Sequence, residues 1–303
     1  MTDKTTVEIY TATHKRMDFT IPAYCRRLQV NCKVTGSKWD QYIHDDDGIN
    51  ISEKNASYCE LTALYWGWKN SEADIKGLCH YRRYFSNDNH VNLIPLVYVN
   101  TKSIVKNSLS EEQIRKLFEE NYEIILPMRY SPYPDTVEAD LLNYCYKSDI
   151  ETLKKIITEE YPDYNDDLLE VLSSRNMSYC NMFIARKDTY DNYCEWLFSV
   201  LKLIEERCDI TEYDTQHKRI YGYLAEVLLN VYVRHNKLRC CYYKTAIVKS
   251  TDRLSDRLFF RVLVVRSHIH KWLYNCGCYG IVLLFAKLFS KGRFNRLKDY
   301  PVD

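Results

Sequence analysis

Ile75-Lys-Gly-Leu-Cys-His-Tyr-Arg-Arg-Tyr-Phe85 is the stretch on which the reading of this chain turns. Its first residues read as an apolar strand, and the strand runs directly into His80, Tyr81, Arg82 and Arg83. In open α/β sheets, ligands bind beyond the carboxyl ends of the strands. Arginine presents a planar fork of donors that matches phosphate oxygens. This strand end therefore reads as a receiver for a doubly charged anion. The competing reading is a solvated basic strand end, or arginines paired with structural carboxylates; the segment alone leaves both open.

Moving toward the N-terminus, Val7–Thr13 is rich in β-branched residues and reads as a first strand. It ends at Thr13, His14 and Lys15, again polar and basic. Leu28–Val34 reads as a second strand, followed by a polar loop holding Asp45, Asp46, Asp47, Gly48 and Asn50. A long helix is expected from Ile51 through Asn70, with Ser52 as N-cap and Asn55 three residues on. In a parallel sheet such strand ends share one edge, so these clusters are expected to converge. Basic groups at two of them suit a nucleoside diphosphate. Asp45 and Asp47 either hold Mg or Mn or belong to a solvated loop. Asn50 and Asn55 either donate to the anion or cap the helix.

Toward the C-terminus, Ser110–Asn121 reads as a capped amphipathic helix and Tyr122–Pro127 as a strand. The proline-rich residues 128–137 read as an active-site or acceptor loop. Helices are expected over 138–147, 149–160, 189–207 and 218–235, with a strand over 179–185. Strands alternating with helices predict an α/β fold with a mostly parallel sheet flanked by helices. Arg219, Tyr223 and Glu226 fall on roughly one helix face. Glu226 there is either a general base, a partner for a sugar hydroxyl, or half of a salt bridge. Asp135 and Glu138 are further base candidates.

Composition narrows the class. A net charge of +1 argues against a globally basic nucleic-acid binder. With 27 tyrosines against 8 glycines and 7 prolines, the chain is not of disordered type. Its 12 cysteines include no Cys-x-x-Cys pair, and the first residues lack the apolar stretch of a secretory signal, so a cytoplasmic, reducing setting is expected. Neither a Walker-type Gly-x-x-x-x-Gly-Lys nor a Gly-x-Gly-x-x-Gly loop occurs, which counts against a phosphotransferase. Two regions are expected: residues 1–250 as the main domain and 251–303 as a basic, amphipathic, helical tail. Trp272–Phe289 is marginal for spanning a bilayer. Its basic flanks favour a helix lying on an anionic membrane surface over one packed on the domain.

Six segments carry a resemblance: Ile9-Tyr-Thr-Ala-Thr-His-Lys15; Asn50-Ile-Ser-Glu-Lys-Asn55 with Tyr58–Asn70; Gly77–Phe85; Tyr122–Pro127; Cys180-Asn-Met-Phe-Ile184; and Arg219–Glu226. In this order, from about Val7 to Arg239, the chain resembles a bacterial family of capsule, exopolysaccharide and O-antigen glycosyltransferases, long catalogued as a domain of unknown function. The resemblance implies a GT-A-like fold and transfer of a sugar from a UDP-sugar donor to a lipid-linked glycan at the cytoplasmic face of the membrane. Galactofuranose is the sugar it points to. It implies donor contacts from Thr13, His14, Lys15, Asn50, Asn55, His80 and Tyr81, and acceptor contacts from Asn181, Arg219 and Tyr223. Arg82, Arg83 and Glu226 are the expected catalytic residues. Where such folds carry Asp-x-Asp, this chain has His80-Tyr-Arg-Arg83, so arginines are expected to replace the metal, with Asp45-Asp-Asp47 the alternative. The family also leads one to expect a histidine within Tyr144–Ser148, where none stands. The rival of another class is a non-catalytic scaffold of a polysaccharide assembly complex.

Overall fold

The computed structural model describes residues 5–88, 95–130 and 136–249. Ten strands occur among them: β1 Val7–Thr13, β2 Cys25–Gln29, β3 Ile43–His44, β4 Ile75–His80, β5 Arg83–Phe85, β6 Leu96–Asn100, β7 Ile124–Pro127, β8 Phe183–Arg186, β9 Cys240–Tyr243 and β10 Thr245–Lys249. The sheet runs β3-β2-β1-β4 in parallel, continues through the antiparallel β8 to β7, and ends with β9 parallel to β7. A second arm leaves β4 through β5, β10 and β6.

β1 shows why these residues make a central strand. Tyr10 and Ala12 enter one apolar cluster, with the helices Leu61–Asn70, Lys187–Arg207 and Ile220–His235. Val7 and Ile9 enter a second cluster on the other face. Alternate residues of a strand face opposite sides, and a parallel sheet must be covered on both. Gly77 of β4 permits the β8 pairing: a Cβ there would lie 2.5 Å from the Phe183 carbonyl oxygen. Lys76 is fully buried beside it, and its charge is matched by Asp191.

Several expectations change. β2 lies earlier than expected, and Asn31, at φ 68°, turns the chain into a helical turn at Cys32–Thr35. The expected helix over 51–70 is broken. A 3-10 turn at Ser52–Lys54 and a short helix Asn55–Tyr58 end at Cys59 (φ 50°, ψ −127°), and Leu61–Asn70 begins a new helix. The Ser52 cap does not form; its hydroxyl donates to Asp45 instead, at 2.6 Å. The capping box of Ser110 and Gln113 is present. β8 starts only at Phe183 because Cys180 and Asn181 take left-handed conformations, φ 76° and 49°. Residues 131–135 of the 128–137 loop, Asp135 among them, and the tail 251–303 lie outside the described residues. Among the described residues, no helix is long and apolar enough to cross a membrane.

Candidate active site at the carboxyl ends of β1 and β4

Two of the three polar clusters meet. Ala12 pairs with His80 in the β1–β4 register, and the Tyr81 amide donates to the Ala12 carbonyl at 3.1 Å. The His14 ring stands edge-on to Tyr81, 5.2 Å between centroids. Thr13 forms the turn itself: its hydroxyl donates to the Lys15 carbonyl (2.5 Å) and accepts from the Lys15 amide (3.1 Å). His14 and Lys15 are left exposed at this edge.

The adjacent arginines diverge. β4 turns back sharply through Tyr81 and Arg82, so that His80 faces Arg83 across the turn. Arg82 is exposed, and its Nε donates weakly to the Val248 carbonyl of β10 (3.4 Å). Arg83 is half-buried and lies in the field of Glu60, Glu226, Cys180 and Tyr130. The two thus do not form one double fork.

The inner wall is built by the two irregular turns. The break at Cys59 brings out Glu60, whose Oε1 accepts from Asn181 Nδ2 at 2.7 Å. The same amide donates to the Gly222 carbonyl at 3.0 Å. Arg219 Nε donates to Cys59 Sγ at 3.2 Å, and its guanidinium lies over the Tyr223 ring, 5.6 Å from the centroid. Glu226 accepts from the Cys180 amide, with Glu60, Arg83 and Asp140 around it. Burial, then the like charge of Glu60, pushes the Glu226 carboxyl up to about 8.

His80 takes a different part from the one expected. Its Nε2 lies 2.6 Å from the Cys180 carbonyl, an acceptor only, so Nε2 carries the proton. Burial holds the imidazole below its usual range. His80 is therefore a neutral brace for the Cys180 turn rather than an added cation.

The side chains of the third cluster are engaged by the chain around them. Asp45 is fully buried and accepts from the amides of Asn31 and Cys32 and the hydroxyls of Ser52 and Thr62, at 2.6–3.0 Å. Asp47 is paired with Lys38 and His44. Cys32, Asp45 and Asp46 bring ligand atoms within 4.8 Å of one another. A metal there would have to displace bonds that Asp45 already makes, and the Cys32 thiol is pushed up to about 12, burial first and Asp45 second. Asp45 and Asp47 thus do not fit Mg or Mn. Asn50 donates to the Asp46 and Gly48 carbonyls, and Asn55 to the Cys59 carbonyl and Thr62 hydroxyl. Both shape the chain instead of facing a donor. Glu138 pairs with Lys154 at 2.6 Å.

Sequence reasoning missed Glu60, Asp140, Tyr130 and Tyr179. Tyr179 donates to Asp140 (3.1 Å) and its ring lies 4.9 Å from that of Tyr130. Glu60 sat inside a quoted segment, and its only signal was a carboxylate in an aromatic, apolar run. Within Tyr144–Ser148, where the histidine was expected, Tyr146 stacks on His217 at 4.3 Å and Tyr144 lies 5.1 Å from Tyr223.

A family described as Domain of unknown function (DUF4422) matches residues 8–237. Among solved structures, the WbbM bifunctional glycosyltransferase in its apo form matches with a TM-score of 0.72 and 31% identity. The match covers 81% of this chain and 46% of that one, so this chain spans about half the length of its relative. No curated protein matches. The mixed, mostly parallel sheet flanked by helices is GT-A-like, in agreement with the sequence.

Proposed function

The chain belongs to the DUF4422 family, and on that premise we propose that it is a glycosyltransferase of bacterial surface-polysaccharide synthesis, acting on a nucleotide-sugar donor and a glycan acceptor. The likeness to one part of a bifunctional glycosyltransferase supports the class. The observation that supports the reading is the basic edge that Lys15, Arg82 and Arg83 give to the neighbouring carboxyl ends of β1 and β4, with Arg83 in the field of the recessed carboxylate Glu226.

In this reading the cations face the diphosphate of the donor. As the sugar–phosphate bond breaks and an oxocarbenium-like sugar forms, negative charge grows on the leaving oxygens. Stabilising that charge is usually the largest catalytic contribution. Arg83 supplies it from a half-buried position, and Arg82 and Lys15 from the rim. Tyr81 and His14 flank the donor. The acceptor hydroxyl attacks the sugar carbon and its proton passes to Glu226, so that a glycosidic bond and a nucleoside diphosphate result. Asn181, Arg219 and Tyr223 line the acceptor side.

The finer assignments follow the resemblance. UDP is the proposed nucleotide, galactofuranose the candidate sugar, and a lipid-linked glycan the acceptor. The basic tail 251–303 is proposed to hold the enzyme on the inner membrane surface, where such an acceptor resides.

Nucleotide binding tests this reading without knowledge of the sugar. A ligand that binds only the folded state raises the melting temperature. UDP is expected to do so in EDTA, with GDP, CMP and ADP doing less. A strict requirement for Mn or Mg would overturn the arginine-based site. No response to any nucleotide would favour the scaffold.

A further inference from the structure

The bonds around Asn181 single out a second carboxylate that the mechanism above leaves unused. Asn181 is 1% exposed. Its amide nitrogen joins Glu60 Oε1 to the Gly222 carbonyl. In an α-helix that carbonyl also receives the amide of the residue four positions on, here Glu226. The neighbouring residue, Cys180, donates its amide to Glu226 and accepts from His80 through its carbonyl. One two-residue turn therefore fixes both carboxylates. Three non-glycine residues around them, Cys59, Cys180 and Asn181, have positive φ. Such strain persists only where surrounding structure enforces it, and it concentrates at functional sites.

We propose that Glu60 acts together with Glu226, the charge of Glu60 setting the pH at which Glu226 becomes a base and the Cys180–Asn181 turn positioning both. Two carboxylates in one recess resist double ionisation, so the second proton leaves late. The other groups facing Glu226 are Asp140, which adds to the effect, and Arg83, which opposes it. The thiols of Cys59, Cys145 and Cys180 and the phenols of Tyr130, Tyr179 and Tyr223 also surround it, and burial keeps them neutral at pH 8. Asn181 Oδ1 is buried and makes no hydrogen bond among the described residues, which leaves it as an acceptor for a substrate hydroxyl.

Glu60→Gln tests the pair, because the glutamine oxygen still accepts from Asn181 while the charge is gone. The Glu226 carboxyl is followed by carbon-13 NMR of glutamate-labelled full-length protein, its signal assigned by loss in Glu226→Gln. The expected result is a titration midpoint lower in Glu60→Gln by about one pH unit or more. An unmoved midpoint would overturn the proposal and leave Glu60 a structural residue, even if the variant melts earlier. The kinetic arm rests on the glycosyltransferase reading: the pH midpoint of donor turnover is expected to fall by the same amount. A wild-type protein that turns over no nucleotide sugar defeats that reading, while the NMR titration still decides the pair.

Discussion

Arg83→Gln is expected to lower donor turnover about a hundredfold while leaving the fold intact, the scale on which one charge-stabilising donor contributes. The backbone of Arg83 carries the β4–β5 and β5–β10 pairings, and these do not depend on the side-chain charge. Glutamine keeps most of the aliphatic packing and removes the half-buried cation. The exposed Arg82 is the control. A solvent-screened charge contributes less, so Arg82→Gln is expected to lose less, and equal losses would contradict the division of labour between them. The substitution also has a signature in pH. Arg83 favours the ionised form of Glu226, so its removal is expected to move the activity midpoint upward.

The second large effect belongs to Glu226. Glu226→Gln is expected to lower kcat about a thousandfold, within the range for loss of a general base. It is also expected to abolish the rise of activity through about pH 8 that burial and Glu60 impose on the wild type. Stability supplies an independent readout. The carboxyl holds its proton more tightly folded than unfolded. Its contribution is therefore fully present below about pH 4.5 and is lost as pH rises through about 8, because the folded protein there binds more protons than the unfolded chain. The melting temperature of the wild type is expected to fall more between about pH 6 and about pH 9 than that of Glu226→Gln. Parallel curves would show that Glu226 is not the group with the raised affinity.

Much of this arrangement was legible in the sequence, for reasons that can be named. Val7–Thr13 was read residue for residue, since β-branched residues buried on both faces leave few alternatives. The alternation of strands and helices pointed to a mostly parallel sheet, and parallel strands bring Thr13–Lys15 and His80–Arg83 to one edge. The misreadings have three physical causes. Cys59, Cys180 and Asn181 adopt left-handed or unusual backbone without glycine, and no residue type announces such a turn. One long helix was therefore expected where two occur, and Glu60 was passed over inside it. Polar side chains misled in a second way. Asp45, Asn50 and Asn55 are of the types that bind ligands, yet each bonds to the chain around it. Spacing shows which groups share a neighbourhood; it does not show which of them backbone amides have already engaged. The tandem arginines are a third case, since adjacency in sequence gave no sign that the chain turns back through Tyr81 and Arg82, with Arg82 in the turn and Arg83 in β5.

The most direct measurement of the central claim is release of nucleoside diphosphate from a panel of nucleotide sugars, UDP-galactofuranose included, by the full-length protein in EDTA with a glycan acceptor. One donor is expected to be consumed without metal, with a sugar–acceptor product of matching mass and a rate that collapses in Arg83→Gln. Folded protein that consumes no donor, or does so only when Mn or Mg is restored, would contradict it.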